Sequence, residues 1–235
     1  MTAASSSRAE RPTFGDTLAA AAEALGLELD ATQTRQLLDY VALLDRWNRT
    51  YNLTAVRDPA DMLTHHVLDC LAAVPALRRT VSGPKRLIDV GSGGGLPGIV
   101  WAILEPELAV TCVDSVGKKA AFIQQASLAL ALKNLRAEHV RVEKLQAEPF
   151  DLLTSRAFAS LADFVTLTEH LATRAGIWLA MKGKLPLDEI AALPPGFQAF
   201  HVERLVVPGL DAERCLIWMR KGPTVLANSE SGRLQ

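Results

Sequence analysis

The residues best placed to do chemistry are the glycines and aspartates of two short segments. In RLIDVGSGGGLPGIV (86–100) an apolar run ends at Asp89-Val90 and meets glycines at 91, 93, 94, 95 and 98. In AVTCVDS (109–115) a second apolar run ends at Asp114, 23 residues after Gly91. Glycines after a strand let a ligand approach the backbone without meeting a Cβ. An acidic residue at the end of the next strand can accept hydrogen bonds from ribose hydroxyls.

Three cofactor classes use such loops. A triphosphate loop needs Lys-Ser or Lys-Thr after its glycines, and none follows here. The dinucleotide pattern GxGxxG can be fitted at Gly93, Gly95 and Gly98, but it starts late, because the strand ends at Val90. Asp89 would also repel a pyrophosphate at a helix N-terminus that otherwise attracts anions. The same carboxylate suits S-adenosylmethionine, which carries an ammonium and a sulfonium. Asp114 does not separate this reading from a dehydrogenase, since dinucleotide sites also place an acid at that distance.

These loops need strands and helices to hold them. Residues 14–80 read as mostly helical, with Leu37, Leu38, Val41 and Leu44 at helical spacing. Asp58 is the expected N-cap and Pro59 the first residue of a helix reaching about Ala76. TVSGPKR (80–86) reads as a linker. Beyond it, strands are expected near 86–90, 108–113, 138–142, 151–155 and 176–181, with helices near 97–104, 117–132, 159–173 and 185–192. Alternation of this kind implies a parallel sheet covered on both faces. FHVERLVV and RCLIWMRK are separated only by PGLDAE, so they should pair antiparallel. The expected architecture is α/β, a mostly parallel seven-stranded sheet with the last strand antiparallel behind a small helical N-terminal region. Most methyltransferases that take S-adenosylmethionine have this form. The division expected is a tail over 1–13, the helical region over 14–80, the catalytic domain over 81–222 and a second tail over 223–235.

Composition narrows the setting. The chain has 235 residues, is 49 % apolar and carries a net charge of −1, so contact with nucleic acid needs a local basic patch. Cys70, Cys112 and Cys215 are far apart, with no zinc-binding spacing, and are expected to be free thiols in a reducing compartment. No apolar run is long enough to span a bilayer, and the first residues do not read as a secretory signal. Cytoplasm, no membrane partner and no metal are the expectations.

YNLTAVRDPADMLTHHVLDCLA, LIDVGSGGGLPGIVWAI, VDSVGKKAAFI and SRAFASL, in this order, resemble the bacterial RsmG (GidB) family of small-subunit (16S) ribosomal RNA guanine-N7 methyltransferases. The similarity runs from about Leu37 to Lys221. Family loops read GTGPGLPG or GSGAGLPG, and Gly94 stands at the variable position. The resemblance implies a class I, Rossmann-like methyltransferase fold. It implies cofactor contacts at Gly91 and Leu96, at Asp114 and Ser115, at Val142 and Glu143, and at Arg156. With Asp89 and Gly93 from the loop, these are the expected S-adenosylmethionine-binding residues. It also implies 16S ribosomal RNA as partner; the small ribosomal subunit as its setting and a monomeric protein are further expectations.

The remaining residues agree with attack by a ring nitrogen. TSRAF stands where many amino-nitrogen methyltransferases carry an Asn-Pro-Pro-Tyr-like motif, and no cysteine is placed to act as a nucleophile on cytosine. Guanine N7 needs neither, because its lone pair lies in the ring plane and carries no proton. No catalytic residue is assigned. The adjacent His65 and His66 would point about 100° apart on an α-helix, which disfavours a shared metal. Trp47 is expected to pack rather than stack on RNA. Lys182 and Lys184, in MKGK after the fifth strand, sit at the carboxyl edge where substrate reaches an open sheet, and are the candidate RNA-phosphate contacts. An enzyme acting on a small molecule or protein, and a nucleoside-binding sensor without catalysis, remain as alternatives.

Overall fold

A computed structural model describes residues 12–80, 82–83, 85–156, 158 and 160–222; of the two expected tails, only Pro12 and Thr13 fall within it. Thr13 opens helix α1 (Phe14–Ala24) with a capping box: its Oγ1 accepts from the Asp16 N–H while Asp16 accepts from the Thr13 N–H. Asp30 caps α2 (Ala31–Tyr51) by accepting from the N–H groups of Thr32 and Gln33. Leu37, Tyr40, Val41, Leu44 and Asn48 form the buried stripe of α2, spaced as a helix requires.

Asp58 caps the next helix as expected, but that helix is not regular. α3 (Pro59–Met62) passes into a π-helical turn (Leu63–Leu68), then α4 (Asp69–Leu71). A separate helix, α5 (Val74–Thr80), follows. One extra residue per turn rotates the side chains after it, and such insertions gather at functional sites. Here the turn carries His65 and His66 and leads directly into Asp69.

The sheet has seven strands: β1 (Lys85–Val90), β2 (Leu108–Asp114), β3 (Leu135–His139), β4 (Phe150–Ser155), β5 (Ala172–Lys182), β6 (Phe197–Leu205) and β7 (Arg214–Lys221). Their order is β3-β2-β1-β4-β5-β7-β6, with β7 antiparallel to both neighbours and every other pairing parallel. The reversed final strand was expected. The third strand lies at 135–139 rather than 138–142. Val140 and Val142 alternate as a strand would, but β3 ends level with Asp114, opposite His139, and the valines lie beyond the sheet in the following turn. β5 is longer than expected, and the helices α6 (Gly98–Leu104), α7 (Gly117–Ala129), α8 (Leu161–Thr168) and α9 (Leu187–Ala191) are shorter.

Alternation along the strands separates two cores. Leu87, Cys112, Leu179 and Trp218 face α6, α7 and the N-terminal helices, whereas Ile88, Val113, Trp178 and Ile217 face α8. The N-terminal helices thus share one apolar core with the sheet. Polar contacts tie them further: Gln36 donates to the Leu130 carbonyl (2.7 Å) and Trp101 Nε1 to the Cys70 carbonyl (3.1 Å). Trp47 packs on Tyr51 and Phe122, with centroids 5.1 and 5.6 Å apart. The three cysteines are buried and free.

Gly98 begins α6 where the helix crosses β1 and β2. A Cβ there would run into Cys112 Sγ and come within 3.0 Å of Asp89 Oδ2. Gly98→Ala should lower unfolding free energy by about 1–3 kcal/mol, as overpacking does. Urea denaturation measures this, and unchanged stability would show that α6 can shift away from the sheet without loss.

Candidate active site

The glycine loop is held to β2 rather than hanging free. Gly91 N–H and Ser92 N–H both donate to the Val113 carbonyl, at 2.9 and 3.2 Å. Gly93 N–H donates to Asp114 Oδ2 at 2.9 Å, and Val116 N–H donates to Asp114 Oδ1 at 2.8 Å. Gly91, Gly93 and Gly95 have φ of +67°, +59° and +82°, in the left-handed region that favours glycine. From the other side Tyr40 donates its hydroxyl proton to the Gly94 carbonyl at 2.7 Å. The N-terminal helices therefore help set the loop's shape.

These contacts leave a cleft of about 280 Å³ at the carboxyl edge of the sheet, lined by Gly91, Asp114, Ser115, Val142, Glu143 and Phe158 among others. Five of the expected cofactor residues thus meet in one place. Nothing lies within 4 Å of where a Gly91 Cβ would stand, so the loop presents bare backbone to this space. Asp114 retains free lone pairs after its two backbone bonds, because a carboxylate offers about four acceptor sites. Phe158, Val140 and Leu167 supply apolar walls that could take a flat ring, and these were not identified from sequence. Only Phe158 carried a signal, as the aromatic of SRAF.

The structure does not bring Asp89, Leu96 or Arg156 into this cleft. Val90 lines it, so Asp89, one residue earlier, points through the opposite face of the sheet. There it is fully buried; its Oδ2 accepts from Gly98 N–H at 2.9 Å and its Oδ1 has no partner. Burial raises the Asp89 carboxyl to about 7, against the Gly98 hydrogen bond. Leu96 is buried beneath the loop, in the core shared with α2. Gly93 belongs to the loop's clamp on Asp114.

Arg156 lines a second cavity of about 360 Å³, with Val56, His65, His66, Asp69, Met181, Leu205 and Arg214 among its walls. Asp69 is buried between two guanidinium groups, 3.2 Å from Arg156 Nη1 and 2.8 Å from Arg214 Nε. Arg156 also donates to the His65 carbonyl at 3.1 Å and lies 3.3 Å from His66 Nδ1. A guanidinium only donates, so Nδ1 accepts, and in the neutral ring Nε2 carries the proton towards Thr54 Oγ1, 2.8 Å away. Burial, then the Arg156 charge, lowers His66 to about 4, so it stays neutral at physiological pH. The π-helical turn puts both histidines on this one cavity, contrary to the divergence expected of an ordinary helix.

The two candidate RNA lysines differ. Lys184 is exposed. Lys182 Nζ lies 2.9 and 3.1 Å from the Glu189 carboxylate, and Glu189 Oε2 also accepts from Leu161 N–H at 2.9 Å. The Lys182 charge is thus engaged in joining β5 to α8 and α9.

The 280 Å³ cleft fits a nucleoside cofactor without a pyrophosphate. It offers an acid for ribose hydroxyls, open glycine backbone and apolar walls for an adenine ring, while Asp89 lies under the loop with an unpartnered oxygen.

Comparisons with known proteins agree with this geometry. A family model described as GidB, rRNA small subunit methyltransferase G, matches residues 33–217. The chain is 56 % identical over 229 residues to ribosomal RNA small subunit methyltransferase G of Paracidovorax citrulli, covering 92 % of this chain and 94 % of that protein. It is 60 % identical over 208 residues to the protein of that name from Acidovorax ebreus, covering 85 % and 92 %. Among solved structures, 1,6-didemethyltoxoflavin-N1-methyltransferase of Burkholderia thailandensis, with bound S-adenosylhomocysteine, aligns with a TM-score of 0.53 at 18 % identity, over 83 % of this chain and 92 % of that one. TrmN from Thermus thermophilus aligns with a TM-score of 0.52 at 18 % identity, over 68 % and 53 %. These structures share the fold, which is that of class I S-adenosylmethionine-dependent methyltransferases. On the match over residues 33–217 and the identity to its relatives, the chain belongs to the GidB family, rRNA small subunit methyltransferase G.

Proposed function

We infer that this protein transfers a methyl group from S-adenosylmethionine to N7 of a guanine in 16S ribosomal RNA. The observation that carries the cofactor assignment is the cleft in which Gly91, Asp114, Ser115, Val142 and Glu143 converge, in a chain of this family. In it Asp114 accepts from the ribose hydroxyls, and Phe158 and Val142 flank the adenine. Arg156 stands at the boundary of this cleft and the second cavity: it follows Ser155, whose hydroxyl donates to the Val90 carbonyl at 2.9 Å, and precedes Phe158 by two residues. When bound, S-adenosylmethionine supplies a methyl group on a sulfonium, an electrophile whose leaving group is a neutral thioether. Guanine N7 has no proton to lose, so the chain need not supply a general base. Its residues align the acceptor and exclude water, which can account for a large share of rate enhancement.

The proposed substrate form is the small ribosomal subunit, met in the cytoplasm by a monomer. Free buried cysteines fit a reducing compartment. Incubation with labelled cofactor and small subunits lacking the methyl group tests the reaction. N7-methylguanine should appear in the 16S RNA, where it makes the strand cleavable by aniline after borohydride reduction. Label confined to protein or small molecules would overturn the assignment.

Asp114→Ala removes a charged acceptor from the ribose and releases Gly93 and Val116 N–H. Cofactor affinity should fall by about 1.5–3 kcal/mol or more, as for hydrogen bonds to charged groups. Calorimetric titration with S-adenosylmethionine measures it, and wild-type affinity would remove Asp114 from the site. For RNA, Lys184→Ala should flatten the slope of log affinity against log salt by about 0.7, the value for one single-stranded phosphate contact. An unchanged slope would make Lys184 an ordinary solvated lysine.

A further inference from the structure

Of the expected cofactor residues only Arg156 lines the 360 Å³ cavity, and its walls have a definite chemical pattern. We propose that it seats the target guanine, with Asp69 accepting from N1–H and the 2-amino group and Arg156 donating to O6. This rests on the reaction inferred above and assigns the residues that select the base.

Guanine is the one RNA base whose pairing edge shows two adjacent N–H donors followed by a carbonyl acceptor. Adenine shows an acceptor at N1 beside its amino group, cytosine an acceptor at N3, and uracil one N–H between two carbonyls. The protein offers the complement of guanine alone. Asp69 is a carboxylate with a 4 % exposed side chain, and each guanidinium occupies one lone pair on one oxygen, leaving acceptor capacity on both. Arg156 spends both Nη1 hydrogens on Asp69 Oδ2 and the His65 carbonyl and one Nη2 hydrogen on His66 Nδ1, so its Nε–H and second Nη2–H remain as donors beside the acceptor pair. Arg214 and the His65 carbonyl hold these two side chains in register, with Arg214 Nε at 2.8 Å and the carbonyl at 3.1 Å. His66, neutral, accepts from Arg156 and adds no competing charge.

The order of groups also matches the reaction. Around guanine the sequence is 2-amino, N1–H, O6, then N7. In the protein Asp69 bonds Arg156, and Arg156 is joined along the chain to Ser155, hydrogen-bonded to the cleft residue Val90, and to Phe158 in the cleft wall, so the connected order is Asp69, Arg156, cofactor cleft. A base read by Asp69 and Arg156 therefore turns N7 towards the methyl donor. Val56, Met181 and Leu205 give the cavity apolar surface for the ring faces, and about 360 Å³ is ample for a purine. Such a pocket takes a nucleotide swung out of its stack. Methylation forms an N7–carbon bond with the purine lone pair and breaks the carbon–sulfur bond towards sulfur. Positive charge passes from sulfonium to purine, and Asp69 lies on the side of the base from which it attracts that charge.

The test measures methyl transfer to small subunits lacking the modification, alongside melting curves and S-adenosylmethionine titration, for wild type, Asp69→Asn and Val56→Trp. Asp69→Asn keeps the shape but turns one acceptor into a donor facing guanine N–H groups. Transfer efficiency should fall by about 10- to 100-fold, the scale of losing hydrogen bonds to a charged partner, with cofactor affinity at the wild-type value. Asp69 is buried between two arginines and its variant could fail to fold, so Val56→Trp fills the cavity from one of its walls while breaking no ion pair. It should abolish transfer and leave cofactor affinity unchanged. Wild-type transfer rates in Val56→Trp, or in a folded Asp69→Asn, would overturn the seat alone. Cofactor affinity lost in parallel with transfer would also overturn it, by making the cavity part of the cofactor site. A wild-type protein that leaves guanine unmethylated would overturn the inferred reaction and the seat together.

Discussion

The carboxylate of Asp114 is the point on which the arrangement of this protein turns. It ends β2 and accepts one backbone N–H from the glycine loop after β1 and another from the turn into α7. Two parallel strands are joined there by side-chain bonds beyond the last pair of the ladder. The loop can then lie open, with three glycines in left-handed conformations, without collapsing onto the sheet. A buried carboxylate needs such donors, and the loop's N–H groups need an acceptor. Each requirement answers the other, and a nucleoside-sized cleft is what remains between them.

The end of β4 divides the carboxyl edge into two chambers of different character. On one side are bare backbone, the acids Asp114 and Glu143 and apolar walls, suited to a neutral nucleoside with a cationic tail. On the other is an Arg156–Asp69–Arg214 network, closed in by the π-helical turn. A buried ion cluster of this kind is weak support for stability, since desolvation offsets much of its attraction. A role in recognition gives a physical reason to retain it. The N-terminal helices supply Tyr40 to the first chamber's loop and Asp69 and His66 to the second, so they are part of the site's construction.

Much of the fold was legible because its signals are local. Strand alternation, the helix cap at Asp58 and the reversed hairpin at the end all reside in short windows. The third strand was misplaced because Val140 and Val142 alternate like strand residues while serving as the floor of a turn. Asp89 was read as facing the ligand because sequence gives spacing but not which face of β1 is turned to the cleft. The loop acid Asp114 and the glycines were legible as a motif. The second chamber was not, since Val56, Asp69, Arg156 and Arg214 come from four separated elements and meet only after folding. A π-helical turn has no composition that announces it, and His65 and His66, both within it, line one cavity.

A crystal structure with S-adenosylhomocysteine bound would show whether the two chambers divide cofactor from base. The ribose hydroxyls should lie within hydrogen-bond distance of Asp114 and the adenine against Phe158 and Val142, with the chamber around Asp69 left free of the nucleoside. A nucleoside lodged against Asp69 and Arg214, with Asp114 unengaged, would contradict it.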